Sequence, residues 1–372
     1  MNPTNNNDVP CFDKATSEHA TLTLSRIEEL LSRFSQLTIG LLGDLFLDRY
    51  LEIDPQLQEI SIETGLPAYQ VTSVRNAPGA LGTVLNNLAA LGVGRLVPVT
   101  VIGDDGHGYD LLRAMDNLPV VTDHIVRSRD RLTPTYTKPL EMGDCGIPRE
   151  LSRLDVRSRT PLSASTQEML EAHLRAAFPM CDGWIVLDQV PEADCGVVNS
   201  LTRLRLRELA NQFSGKLVLI DSRMRLGLFD FGTLKGNQSE FLRAGGSATS
   251  TDQFSLQDTA RVVRSLAQRT QRTAFCTLGE QGMLVMPPHG SAYRVAAVHV
   301  EGPIDIVGAG DAATSGLVAA LLSGATALEA AAVGNIAASI TVQQIGTTGV
   351  ATAAQVRERL ASAGAPEIAK LD

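Results

Sequence analysis

Five short runs of the chain are apolar almost without interruption: LTIGLLGD (37–44), LVPVTVIG (96–103), GWIVLD (183–188), KLVLID (216–221) and TAFCTL (273–278). Between and after them, at about 81–91, 164–177, 197–213, 256–269, 311–323 and 326–343, apolar positions return with helical spacing. Strands apolar on both faces and separated by helices are what a parallel sheet covered on both sides requires. The pattern predicts an α/β fold built on a doubly wound, mostly parallel sheet.

Two regions keep another rhythm. RYLEID (49–54) with LPAYQVTSV (66–74), and VVTDHIV (120–126), PTYTKPLEM (134–142) and ELSRLDVR (150–157), alternate polar with apolar residues, as half-exposed strands do. They predict a small β-sheet lid drawn from about 49–76 and 120–157. No internal repeat or linker separates independent units, so a single domain is expected over 23–372, after a polar, Asn-rich, disordered tail at 1–22. That tail has no apolar centre of a signal peptide. The apolar stretch 317–342 is interrupted by Ser323, Glu329, Asn335 and Ser339, which suits a buried helix pair rather than a membrane span.

Composition narrows the function classes. The 372 residues carry 32 Lys and Arg against 41 Asp and Glu, a formal charge of −9, so no attraction to nucleic acid or an anionic membrane is expected. Five scattered cysteines without a C-x-x-C, Cys11, Cys145, Cys181, Cys195 and Cys276, suggest neither a disulfide framework nor a zinc site. The six histidines offer no metal-ligand spacing. A cytoplasmic location follows as the expectation.

The stretch GPIDIVGAGDAATSGLVAALLSG (302–324) raises the chemical question. Gly308, Gly310 and Ala313 fit G-x-G-x-x-A, with Glu329 near the distance of a ribose-binding acid, but a dinucleotide fold needs a strand ending at that acid. Here 311–343 has the pattern of two helices. No P-loop motif is present, since the lone Gly215-Lys216 pair precedes Leu217. As anion-binding geometry the turn makes better sense, because glycines expose backbone N–H groups and the helix adds its positive end. Asp311 then stands where a carboxylate could take a proton from an attacking hydroxyl, although a simple helix cap would occupy the same position.

DIVGAGDA resembles the C-terminal signature of the ribokinase-like sugar kinases, the phosphofructokinase B family, and GDLFLDRY (43–50) is similar to the opening motif of its heptose 7-phosphate kinase branch. From about 37 to 360 further matches follow in order: NAPGALGTVLNNLAALG (76–92), PTYTK (134–138), SRLDV (152–156), LVLID (217–221), KGNQSEF (235–241), CTLGEQGM (276–283) and QQIGTTG (343–349). The resemblance implies a ribokinase-like fold and an ATP- and Mg²⁺-dependent kinase acting on a hydroxyl of a small sugar or sugar phosphate, a heptose 7-phosphate among them. It also allows a monovalent cation and a homodimer formed through the lid.

On the same resemblance Asp311 is the base, and the amides around Gly308, Ala309 and Gly310 receive the transferring phosphoryl group. Asn237, Gln238, Ser239 and Glu240 serve the nucleotide phosphates, with Glu240 holding Mg²⁺ through water. Thr277, Gly279 and Gly282 line the nucleotide and Asn335 lies near the adenine. Asp44, Asp48, Gly79 and Asn87 belong to the sugar side. Lys138 and Arg153, with Arg223 beside them, are candidates for a phosphate already on the substrate, against the alternative that they are solvated lid charges. Asp155 and Asp188 are pocket residues or ordinary strand-end acids.

Three departures qualify the match. Where the family shows Gly-Gly and a following Asn, this chain has Gly79, Ala80, Leu81, Gly82 and Thr83, which puts substrate identity in question. Val307 replaces the usual Thr before the glycine turn. The sequence ends without room for the nucleotidyltransferase domain that some heptose kinases carry. A non-catalytic sugar- or nucleotide-binding relative is the rival from another class, and a nucleoside kinase the rival within the enzymes.

Overall fold

The computed structural model describes residues 21–142, 148–246, 255–346 and 348–371. The tail expected at 1–22 lies outside them except for Thr21 and Leu22, of which Leu22 is buried in the core.

Seven strands run parallel, in the spatial order Ile125–Ser128, Arg95–Gly103, Thr38–Gly43, Gly183–Asp188, Leu217–Ser222, Thr233–Asn237 and Ala274–Thr277. Met283–Met286, Ala292–Val295 and Ile368–Leu371 extend one edge antiparallel. One face is covered by helices Leu24–Phe34, Leu81–Ala90, Ala309–Leu322, Ala327–Thr341 and Ala353–Ala363, the other by Ala164–Ala177, Ser200–Gln212, Gln238–Ala244 and Leu256–Thr270. Each face has its own apolar core, which is why the central strands carry few polar residues.

Thr38–Gly43 is the switch point of the sheet, since the chain next adds Arg95–Gly103 on one side and later Gly183–Asp188 on the other. Open α/β sheets bind ligands beyond the carboxyl ends of the strands at such a point. Here the first strand ends at Gly43, and after Asp44 the chain continues at once as Leu45–Ile53 of a second sheet. That strand pairs antiparallel with Val71–Ala80 and parallel with Thr135–Met142, which in turn pairs with Pro148–Glu150 and Leu154–Val156.

The lid is thus drawn from the expected regions with one correction. Ile125–Ser128 does not join it; it is the edge strand of the central sheet beside Arg95–Gly103. An edge strand is partly solvated, so it shows the same polar alternation as a lid strand. Between the lid strands a short hairpin, Glu59–Ile60 with Pro67–Ala68, stands apart.

Candidate active site

The glycine turn is built as its sequence implies. Gly308 has φ 82°, a conformation that favours glycine, and a Cβ there would also come within 2.9 Å of Thr348 Cγ2. The helix Ala309–Leu322 begins without a side-chain cap. Val307 N–H donates to Asp305 Oδ1 at 3.0 Å and Ala309 N–H to the Ile306 carbonyl at 3.2 Å. Among the described residues the N–H groups of Gly308 and Gly310 donate to nothing, and a Cβ on Gly310 would meet open space. Two free amides and a positive helix end therefore face outward together. Ala309 lies in the same turn with its amide already engaged.

Asp311 follows on the first turn, half-buried, with the Gln189 side chain close by and favouring its charged form. Burial and the neighbouring Asp221 carboxylate push its carboxyl up to about 7, against the pull of Lys235 and Arg223. Lys235 is 3% exposed and its Nζ lies 2.7 Å from Asp221 Oδ2. Burial alone would lower the Lys235 ammonium, but Asp221, Glu240 and Asp311 outweigh it and hold it charged. Thr314 Oγ1 also reaches Asp221 Oδ2, at 3.4 Å, tying the strand end to the helix that bears Asp311.

Asp221, Lys235 and Gln189 are central to this cluster and were not selected from the sequence. A lysine in the buried strand Thr233–Asn237 needs a buried partner, but TLKGN, with Leu234 its one large apolar residue, gives little sign of a buried strand. Arg223, expected on the lid side, stands instead near Asp311 and Glu240.

The nucleotide candidates sit at the next strand ends. Asn237 Oδ1 accepts from Glu240 N–H at 2.9 Å and Glu240 Oε2 from Asn237 N–H at 2.6 Å, a capping box that starts Gln238–Ala244 and places Ser239 in its first turn. Glu240 is held above the usual carboxylate range by burial and by Asp221. Gln238 turns aside to Thr259 Oγ1 at 2.8 Å. Thr277 ends its strand, and Gly279 and Gly282 take φ 59° and 94° in the turn beyond. The Asn335 amide is spent on the carbonyls of Val295 and Ala296, both at 3.0 Å, so its donors tie a helix to a strand end.

Among the residues expected to meet the sugar, Asp48 is buried against Gly79, where a Cβ would lie 2.6 Å from its Oδ2. Lys138 Nζ stands 3.5 Å from Asp48 Oδ1 and donates to Tyr50 Oη at 3.2 Å. Arg153 grips Asp155 with Nε at 2.6 Å and Nη2 at 2.9 Å and lies 4.3 Å over the Tyr136 ring. Arg75 lies 4.0 Å over the Tyr50 ring. Asp48, Tyr50, Tyr136 and Lys138 share one face of the lid by register, so three cations and two tyrosines stand beside Asp48.

Asn87 departs from expectation: it is 1% exposed and its amide donates to the Thr83 carbonyl of its own helix. Asp188 is structural, accepting from Ser222 Oγ at 2.7 Å and Arg225 Nη1 at 3.0 Å. Ala80 adopts φ 53°, ψ −112°, a region that glycine occupies and alanine does not.

Among the described residues no three His, Cys, Asp or Glu side chains stand together as a metal cage, and no helix is long and apolar enough to cross a membrane. Residues 210–354 match the profile of the pfkB family carbohydrate kinases. The bifunctional protein HldE of Gluconacetobacter diazotrophicus is 28% identical over 323 residues, which make up 84% of this chain and 62% of that protein's own length. The Arabidopsis thaliana ribokinase complexed with ribose and ATP superposes with a TM-score of 0.62 at 16% identity, over 87% of this chain and 98% of that one. Phosphofructokinase-2 of Escherichia coli in complex with potassium gives 0.63 at 17%, over 87% and 98%.

Proposed function

Because the chain carries a pfkB family carbohydrate kinase domain, we propose that it transfers the γ-phosphoryl group of ATP to a hydroxyl of a sugar phosphate, a heptose 7-phosphate being the first substrate to test. The observation that carries the reading is Asp311 beside two unengaged amides at a helix N-terminus. The sugar oxygen attacks the γ-phosphorus, its proton passes to the Asp311 carboxylate, and the bond to the ADP oxygen breaks. The amides of Gly308 and Gly310 receive the charge of the transferring group, with Lys235 and Arg223 close by.

Mg²⁺ fits this donor set. Asp221 and Glu240 are neighbouring carboxylates, and Mg²⁺ is commonly held by one or two carboxylates, its own waters and the substrate phosphates. Bound there, it would neutralise phosphate charge. Asn237, Ser239, Thr277, Gly279 and Gly282 fall at the strand ends where the nucleotide belongs in this reading, and a monovalent cation is part of the same expectation.

For a phosphate already on the substrate, support comes from Arg75, Lys138 and Arg153 gathered on the lid face that carries Asp48. A neutral nucleoside has no use for them, which disfavours the nucleoside kinase. The GDLFLDRY motif supports the heptose branch. A homodimer through the lid belongs to the proposal, because Ile60, Ile62, Leu66, Tyr69 and Val74 are exposed there.

The test is ADP release from ATP and Mg²⁺ with a panel of five- to seven-carbon sugars and their terminal phosphates. Turnover of a sugar phosphate supports the proposal. Sugar binding without any turnover would make the chain a non-catalytic relative.

A further inference from the structure

A cleft of about 360 Å³ opens at the amino ends of Leu217–Ser222 and Thr233–Asn237, where the helices Ser200–Gln212 and Leu256–Thr270 both finish. Its volume falls within the roughly 300–1,000 Å³ of small-molecule sites. It is separate from the catalytic cluster, since Asp221 stands near the far end of Leu217–Ser222, about 13 Å along the strand from Leu217.

The lining combines three kinds of surface. Leu217, Val218 and Phe231 are apolar. Thr233 borders them, 6% exposed, and its hydroxyl makes no hydrogen bond among the described residues. Asn211 likewise leaves its side-chain amide unused there. Buried polar groups are normally paired, so the Thr233 hydroxyl calls for a partner from the cleft. The two helix ends add acceptors, because the last carbonyls of a helix have no donor within it.

The third kind is charge. Lys216 Nζ donates to the carbonyls of Pro179 and Cys181, which leaves one ammonium proton over, and no carboxylate of the described residues pairs with it. Arg272 lines the same cleft and donates to the Ser214 carbonyl at 3.0 Å. Asp230 does not cancel them, because Arg207 Nη2 already holds it at 2.6 Å. Two helix carboxyl ends would by themselves repel an anion, and these cations reverse that. A hydrocarbon acid would satisfy Lys216 but leave Thr233 and Asn211 unpaired. A sugar phosphate would leave the apolar surface uncovered. A nucleoside body meets both needs, with a flat ring for the apolar residues and hydroxyl and amino groups for the rest.

We propose that this cleft is a second nucleotide site, taking a mononucleotide whose phosphate meets Lys216 and whose base and ribose meet Thr233 and Asn211. It does not depend on the kinase reading above, since none of its residues belongs to the catalytic cluster. A nucleotide held here would rest on the same two strands that carry Asp221 and Lys235.

The experiment titrates AMP by calorimetry into the wild-type protein and into Thr233→Val, which keeps the branched shape of the side chain and removes only its hydroxyl. Wild type should take up one more equivalent of AMP than the variant, or bind that equivalent at least about tenfold more tightly. Lys216→Met should show the same loss. Because the readout is the difference between proteins, AMP bound at the catalytic cluster, or its failure to bind there, leaves the result unchanged. Adenosine and ribose 5-phosphate should each fill the Thr233-dependent site at least about tenfold more weakly than AMP. Hydrogen exchange on the wild type needs no variant: AMP should slow exchange over 214–218 and 230–233. Equal AMP binding by wild type and both variants, or unchanged exchange in those segments at millimolar AMP, would overturn the site. Ribose 5-phosphate bound there as tightly as AMP would make it a plain anion site, and adenosine bound as tightly would remove Lys216 from it; either result overturns the assignment to a mononucleotide.

Discussion

Replacing Asp311 with Asn keeps the shape of the helix's first turn and removes the proton acceptor. Turnover should fall by about 10²–10⁴-fold, with ATP affinity changed only a few-fold; near-normal turnover would reduce Asp311 to a helix cap. Because only the deprotonated carboxylate accepts a proton, kcat/KM of the wild type should rise with pH through about 7 and level off above it. The same shift makes a stability statement. A carboxyl raised in the folded state holds its proton more tightly there than in the unfolded chain, so its ionisation costs stability as pH rises from about 4 through about 7. Asp311→Asn should therefore raise Tm relative to wild type at pH 8 and not at pH 4. Ala80 is the second informative position, since its glycine-like backbone costs about 1–3 kcal/mol. Ala80→Gly should stabilise the protein by about 1 kcal/mol in urea titrations and change the kcat/KM ratio between two sugar phosphates of different length. An unchanged ratio would mean that the loop does not touch the substrate.

At the scale of elements the lid strand Thr135–Met142 carries the clearest prediction. If Lys138 grips a phosphate on the substrate, Lys138→Ala should weaken a sugar phosphate by about 1.5–3 kcal/mol and leave the unphosphorylated sugar almost unaffected. Its ion pair with Asp48 supplies the competing explanation. Burial raises the Asp48 carboxyl and Lys138 pulls it down, so losing the lysine also favours a protonated Asp48. Equal losses for both sugars, measured by calorimetry at pH 8, would show that Lys138 serves only to hold Asp48 ionised. Arg153 should contribute less than Lys138, because Asp155 already occupies the Nε–Nη2 edge of its guanidinium.

For the whole molecule, one group of exposed apolar residues follows the hairpin and outer strand of the lid, where Ile62 is fully exposed. Patches of that kind mark association surfaces. Ile62→Glu should convert the expected dimer to monomer in light scattering, and a wild-type monomer would remove that part of the proposal.

The doubly wound core was legible in the sequence because parallel strands buried on both faces must be apolar along most of their length, as Gly183–Asp188 and Leu217–Ser222 are up to the polar residues at their carboxyl ends. Helix Ala309–Leu322, its glycine turn and Asp311 were legible too, since a sharp turn into a helix is a local property of a few residues. Thr233–Asn237 was hidden, because TLKGN holds one large apolar residue beside a lysine, and only the partner Asp221, one strand away, makes that lysine tolerable inside. Ile125–Ser128 was misplaced because half-exposed strands look alike wherever they pair. Which side chains are spent and which are left over was decided by tertiary structure alone. Lys138 meets Asp48 through strand register, Asn87 folds back on its own helix under the packing around it, and Arg131 Nη1 is left without a partner among the described residues. Local pattern determines which elements form, whereas the partner of a buried charge depends on distances that exist only once those elements are assembled.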